Sequence, residues 1–151
     1  MRRGLAKVRW AGRLEWIPGE PAFLLDAAHN AAGCERLAQH LGALGPRRRR
    51  RRVVLLFGAM SDKDHEAMLA PFDDLVDRRV YAVPDMARAT SPESLRWVRP
   101  GVAARSVRDG LARARRAAGD GGLVVVAGSI FLVAAVRAEL KGVRSDPPIG
   151  M

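Results

Sequence analysis

A chain of 151 residues, 48% of them apolar, is the size of one domain and long enough to bury a substantial core. No apolar stretch approaches the roughly 20 residues needed to span a bilayer, and Met1-Arg2-Arg3 is not followed by a signal-peptide core, so a cytoplasmic address and no membrane partner are expected. The formal charge of +10 suggests nucleic acid as a partner, but six of those charges lie in the arginine run 47–52 with no aromatic platform beside it; weak, salt-sensitive adsorption of polyanions is expected rather than a specific nucleic-acid site.

Residues 1–9 form a basic lead-in without pattern. Residues 13–17 alternate enough for a short strand, and Pro18-Gly19-Glu20-Pro21 is a turn. Phe23-Leu24-Leu25 then reads as a strand buried on both faces, and it ends abruptly in Asp26-Ala27-Ala28-His29-Asn30. Ala31, Cys34, Leu37, Ala38 and Leu41 recur at helical spacing, which makes Asn30 the N-cap and places the single cysteine, Cys34, in the core. Glycines at 42 and 45 allow a left-handed stop and Pro46 forbids continuation, so the arginine run is predicted to be a solvated loop.

Val53-Val54-Leu55-Leu56-Phe57 is the second apolar run, followed by a polar turn in which Ser61 or Asp62 is placed to cap a short helix reaching residue 69. A third strand is predicted over 80–83, closed by Pro84, and Ser91-Pro92-Glu93 opens a brief helix to about residue 98. Residues 102–105 read as a short edge strand. Ser106 caps a helix that turns Val107, Leu111, Ala114 and Ala118 inward and stops at Gly119. Leu123-Val124-Val125-Val126-Ala127 is the last buried strand, and Gly128-Ser129 leads into a final helix with Ile130, Val133, Ala134 and Leu140 facing in. The tail 142–151 is predicted to be disordered, leaving one domain over 10–141.

Strands alternating with helices of this length specify an α/β fold. The expectation is a Rossmann-like, doubly wound, mostly parallel sheet of about six strands with helices on both faces. In such a sheet the carboxyl ends of the strands share one edge, so the polar turns 26–30, 61–64 and 128–129 can converge on one site. His29, at a helix start beside a carboxylate, suits a phosphate or a developing negative charge. Asp26 either orients His29, accepts from a ribose hydroxyl or an ammonium group, or caps its own turn. Arg13, which follows glycine near a tryptophan, presents a guanidinium for phosphate or nucleobase or is a plain surface arginine. Lys63 sits between two acids and reads as a nucleotide contact or a salt-bridged loop lysine. His40 and His65 read as surface residues, and Ser129 as a helix cap.

Leu-Leu-Asp-Ala-Ala-His-Asn at 24–30 resembles the signature that opens the C-terminal domain of folylpolyglutamate and dihydrofolate synthases, members of the Mur ligase superfamily. Trp10-Ala11-Gly12-Arg13-Leu14-Glu15, Phe57-Gly58-Ala59-Met60-Ser61-Asp62-Lys63-Asp64, Pro71-Phe72-Asp73-Asp74 and Gly128-Ser129-Ile130-Phe131-Leu132-Val133 follow the same family order. The resemblance implies the Mur ligase C-terminal fold. It also implies an enzyme that joins glutamate to a folate or pteroate γ-carboxylate with ATP and magnesium through an acyl phosphate. It assigns His29 and Asp26 to catalysis, Arg13, Asp26 and Lys63 to ATP, and His29 and Ser129 to glutamate, with no metal ligand in this chain. The expected partners are ATP, glutamate, folate or dihydropteroate, and a P-loop ligase domain in cis or in trans, the chain itself being monomeric.

Three departures qualify the match, one of them the arginine run 47–52 in its helix-to-strand loop. Ala27 stands where the family has glycine, and no G-x-x-x-x-G-K-[ST] motif is present. A fragment, a split subunit or a relic of such a ligase is expected, inactive by itself. The alternative is a non-catalytic module that binds nucleotide or polyanion.

Overall fold

The computed structural model describes residues 11–142; the basic lead-in, Trp10 and the tail beyond Gly142 lie outside the described residues. Six strands form one sheet in the order β1-β2-β6-β3-β4-β5. They are β1 (Glu15–Ile17), β2 (Ala22–Leu25), β3 (Val53–Phe57), β4 (Arg78–Tyr81), β5 (Val102–Ala103) and β6 (Leu123–Ala127). Only β1 runs antiparallel, paired with β2; the other pairings are parallel. The helices are α1 (Ala31–Ala43), α2 (Pro46–Arg49), α3 (His65–Leu69), α4 (Pro92–Val98), α5 (Val107–Ala118) and α6 (Ile130–Lys141).

The continuous apolar runs of β2, β3 and β6 are explained by burial on both faces. One core joins Leu24, Leu55, Phe57 and Val125 to Leu37 and Leu41 of α1, Met68 of α3 and Leu95 of α4. The other joins Phe23, Leu25, Val54, Leu56 and Val126 to Leu111 and Ala114 of α5 and Leu132 and Val136 of α6. Each fully buried side chain of this size contributes about 1.5–3 kcal/mol, so the three central strands anchor the domain. Because β6, last in sequence, is inserted between β2 and β3, the turns after β2 and β6 leave the sheet side by side.

Several expectations change in detail. The short helix is capped by Asp64, whose carboxylate accepts from the Ala67 amide, because Ser61 is held by the Arg88 carbonyl and Met60 bridges to Ala89. β4 starts two residues earlier than the apolar run suggested, since Arg78 and Arg79 pair in register with Val54 and Leu55 at the wet end of the strand. Ile130 and Ala134 face outward, while Leu132, Val133 and Val136 are buried. The helix is apolar nearly all round, so periodicity alone could not choose its buried face. Part of the arginine run is helical, as α2, and Arg48 donates to the Leu75 carbonyl at 3.4 Å. Helix α1 ends at Leu44 in right-handed geometry, and Gly45, with φ +53°, makes the turn. His65 is half-buried, its Nε2 2.9 Å from the Met60 carbonyl and 3.2 Å from Thr90 Oγ1, and His40 is half-buried with its Nε2 enclosed and unpartnered.

An ion-pair cluster that the sequence did not reveal ties α3 to the ends of α4 and the 3-10 turn Ala70–Phe72. Arg99 grips both oxygens of Glu66 at 2.7 Å and donates through Nε to Asp73 at 2.9 Å, and Arg79 donates to Asp73 at 2.8 Å. The Arg99 guanidinium is the main cause holding both carboxyls below their ordinary values. A carboxylate whose pKa is lower folded than unfolded contributes stability that is complete above the unfolded value and is lost as the pH falls through the folded one. The melting temperature is therefore expected to hold near neutrality and to decline below about pH 4.5. A melting series from pH 7 to pH 3 on wild type and Arg99→Met checks this, the variant showing the shallower decline.

Candidate functional site

The strand ends fix the site through the backbone before any side chain acts. The Asp26 amide donates to the Val126 carbonyl at 3.0 Å, and the Gly128 amide donates to the Ala28 carbonyl at 2.8 Å, which locks the turn after β2 to the turn after β6. The carboxylate of Asp26 then satisfies two more amides: Oδ1 accepts from Ala28 at 2.9 Å and Oδ2 from Leu14 at 3.0 Å. The Ala27 amide donates to the Gly12 carbonyl at 2.6 Å. The segment before β1 is thereby stitched onto the end of β2, and Arg13 is carried at the middle of it.

The other side of that segment is clamped by Glu15. Its carboxylate accepts from the Gly12 amide at 2.9 Å, from Arg137 Nε at 2.9 Å and from Lys141 Nζ at 3.2 Å. Burial alone would raise the Glu15 pKa, but the Gly12 amide, Arg137 and Lys141 together bring it below the ordinary value. Leu14 sits at φ +44°, an unfavourable conformation for a side-chain-bearing residue that costs on the order of 1–3 kcal/mol and persists only where the surroundings enforce it. Asp26 and Glu15 supply that enforcement.

These elements open a cleft of about 330 Å³ at the carboxyl edge of the sheet, lined by Arg13, Leu14, Asp26, His29, Arg36 and Ile130 among others. Helix α1 begins there. Asn30 accepts from the Gly33 amide at 2.8 Å, as the sequence predicts, and no acidic residue lies in the first turn, so the positive end of the helix is left facing the cleft. Among the described residues neither Arg13 nor Arg36 makes an ion pair. The cleft therefore has two unengaged guanidiniums and a helix N-terminus against a single carboxylate already bonded to two amides. That charge pattern suits an anion.

His29 is exposed at the rim, and its Nδ1 lies 2.9 Å from the Ala27 carbonyl. A carbonyl only accepts, so Nδ1 carries the proton and Nε2 is the atom offered outward. Asp26 does not orient the imidazole; both of its oxygens serve the backbone. Of the predicted site residues, Arg13, Asp26 and His29 are brought together. Ser129 is 2% exposed, its Oγ accepts from the amides of Phe131 and Leu132, and it stands behind the cleft as the cap of α6. Lys63 lies outside the cleft, in a loop carried away by the Ser61 to Arg88 tie. The turn after β3 nevertheless supports the site through Gly58, whose carbonyl packs against Gly128. Cys34 is fully buried, and burial, with the nearby Asp26 charge, pushes its thiol up to about 12, so it is inert.

Arg36 was missed from the sequence. The signal was its place within two turns of the helix start that follows the polar turn; amphipathic reading marks it only as solvent-facing. Among the described residues no group of three or more His, Cys, Asp or Glu side chains is placed to hold a metal ion.

Asp26→Ala removes the acceptor of two amides, a loss that relief of the strain at Leu14 offsets only in part. The expected result is a loss of about 2–3 kcal/mol of stability. The drop in melting temperature should be about 5–10 °C. Thermal melts of the variant and of Asp26→Asn, which keeps one acceptor and loses less, measure it.

A parallel sheet with one antiparallel edge strand and an arginine-lined cleft at its carboxyl edge defines an α/β domain of the Mur ligase C-terminal type. The chain belongs to the family described as Mur ligase, glutamate ligase domain, whose model matches residues 12–130. Within it, the similarity is to folate ligases: 35% identity over 144 residues to a probable bifunctional folylpolyglutamate synthase/dihydropteroate synthase of Halobacterium salinarum, covering 89% of this chain and 17% of that protein. The fold is that of E. coli FolC in complex with DHPP and ADP, at a TM-score of 0.84 and 27% identity, covering 93% of this chain and 34% of that one. A bifunctional folylpolyglutamate synthase/dihydrofolate synthase solved with Mn, AMPPNP and L-glutamate bound superposes at a TM-score of 0.83 and 28% identity, with the same shares covered. The chain thus spans about a third or less of these relatives.

Proposed function

We propose that this domain forms the amino-acid-side half of an ATP-dependent amide ligase that joins glutamate to the γ-carboxylate of a folate or pteroate. The observation that carries the reading is the convergence of Arg13, His29 and Arg36 on the positive end of α1 at the carboxyl edge of the sheet. The donor set fits a polyphosphate: guanidinium forks match phosphate oxygens, and the free amides of a helix start add to them. ATP, when bound, supplies the phosphoryl group that activates the substrate carboxylate. The relatives solved with ADP, AMPPNP, Mn and L-glutamate support this ligand set.

Arg13 and Arg36 hold phosphate, and their charge lies where negative charge is delivered. His29, its Nδ1–H fixed on the Ala27 carbonyl, offers Nε2 to the incoming glutamate, as acceptor of an ammonium proton when neutral and as donor to a carboxylate or phosphate when protonated. Asp26 acts by holding Arg13 and the His29 turn in place, and Ser129 acts by starting α6 behind the cleft. The magnesium ligands and the phosphate loop belong to a P-loop domain that closes against this edge. Leu14, Ile130 and Phe131, each between 42% and 52% exposed, give that partner an apolar rim to cover. No helix of the described residues is long and apolar enough to cross a membrane.

The test is complementation in solution. The chain by itself should release no ADP from ATP in the presence of glutamate and dihydropteroate, because nothing in the described residues replaces the phosphate loop and metal. Mixed with the P-loop portion of a folate ligase lacking its C-terminal domain, it should restore glutamate-dependent ADP release. ADP release by the chain alone, or none by the mixture in which the two parts bind each other, would count against the reading.

A further inference from the structure

A second concavity lies at the opposite end of the sheet, where β4 and β5 begin and α5 ends. Its volume is about 580 Å³, and its wall carries Arg78, Arg79, Arg113 and Arg116 against one acid, Asp77. The arginines are not equivalent. Arg79 is engaged by Asp73 at 2.8 Å and Arg113 by Asp109 at 3.0 Å, whereas Arg78 and Arg116 are exposed and make no ion pair among the described residues. Asp77 spends Oδ2 on the Val53 amide at 2.8 Å. Arg79 also buries its Nε without a partner, under a floor closed by Gly101, where an added Cβ would stand 2.8 Å from the Arg79 carbonyl.

The arginine run reaches this place too. It connects α1 to β3 at the same end of the sheet, and Arg52 Nη1 extends to the Ala117 carbonyl at 3.5 Å, Ala117 being part of the groove wall. The other arginine of this helix turn, Arg115, is taken up over the Phe23 ring at 5.5 Å. The run, tied to the groove wall through Arg52, therefore adds its charge beside a groove whose own unpaired guanidiniums are Arg78 and Arg116, at the end of the sheet opposite the cleft. Guanidiniums pair in fork geometry with phosphate oxygens, and a linear anion is the shape that meets several of them at once. No aromatic ring lines the groove on which a base would stack.

We propose that this groove binds a linear phosphate chain through its backbone charges, without recognising bases. The reading is independent of the ligase assignment. Inorganic polyphosphate and the backbone of a single-stranded nucleic acid share the chemistry, and their relative affinities, one read from the direct titration and the other from the competition, tell which of the two sources the groove prefers.

The probe is a fluorescein-labelled single-stranded oligodeoxynucleotide, titrated with the purified chain by anisotropy at several salt concentrations. Unlabelled long-chain polyphosphate and poly-γ-glutamate serve as competitors. Polyphosphate should displace the probe completely, and poly-γ-glutamate of equal charge should not. Arg78→Ser/Arg116→Ser should weaken binding about a hundredfold, each of the two charge-assisted contacts being worth about tenfold. It should also lower the salt slope by about 1.4, the value for two lost phosphates of a single strand. Arg78→Lys/Arg116→Lys, which keeps charge and fold but not the fork, should fall between.

Equal displacement by poly-γ-glutamate would show attraction to charge alone and overturn the phosphate assignment. Failure of polyphosphate to compete would overturn the backbone assignment. Unchanged binding in both double variants, with binding lost when the run 47–52 is replaced by glycine and serine, would place the interaction on the run and sink the groove.

Discussion

His29→Ala, in an enzyme reconstituted from this domain and a P-loop ligase core, is expected to lower kcat about a hundredfold to a thousandfold. The site has already spent its backbone on holding the ring: Nδ1 is fixed by the Ala27 carbonyl, and the turn beneath is bonded to Asp26 and to Gly128. Nε2 is thus a preorganised group beside a helix N-terminus, and loss of one such donor or acceptor removes about 2.7–4 kcal/mol of transition-state stabilisation. Arg13→Ala is expected to act differently. A phosphate contact made equally in ground and transition states is uniform binding, so it should raise KM for ATP with a smaller change in kcat. Steady-state kinetics of the two variants against varied ATP separate the roles. Wild-type kcat in His29→Ala would place the chemistry elsewhere.

Gly128→Ala is expected to destabilise the domain by about 3–5 kcal/mol, the sum of backbone strain and overpacking. Gly128 has φ +107°, a conformation that side-chain-bearing residues rarely adopt. A Cβ there would overlap the Gly58 carbonyl oxygen and lie 2.7 and 2.9 Å from the Phe57 ring. The turn cannot move aside cheaply, because the Gly128 amide holds the Ala28 carbonyl and the neighbouring Ser129 caps α6 with two bonds. A drop of at least about 10 °C in melting temperature should follow. Gly121→Ala, with nothing within 4 Å of the added carbon, is the control and should stay close to wild type. A Gly128→Ala protein that melts with the control would mean the junction of the three strand ends is slack.

Much of this was legible one residue at a time. The helix caps at Asn30, Ser91, Ser106 and Ser129 accept from amides two or three residues ahead, as short polar side chains before a helix do, and the strands at 53–57 and 123–127 match their apolar runs. These are local preferences that survive folding because the packing agrees with them. The motif residues Asp26 and His29 stood out because an acid and an imidazole abruptly end a continuous apolar run just before a helix start.

What the chain by itself determined is therefore the set of elements, their faces where one stripe is polar, the doubly wound class and the polar turn 26–30. What only the tertiary structure decided is which turns meet. Strand order is set by packing between residues a hundred positions apart, and it is the insertion of β6 between β2 and β3 that seats Gly128 on Ala28 and Gly58 while leaving Lys63 out. The pairing of Asp26 with the Leu14 amide, the Glu15 clamp by Arg137 and Lys141, and the Arg99 cluster are likewise long-range. A charged side chain has many possible partners in a sequence, and only the fold, by fixing distance and excluding water, selects one.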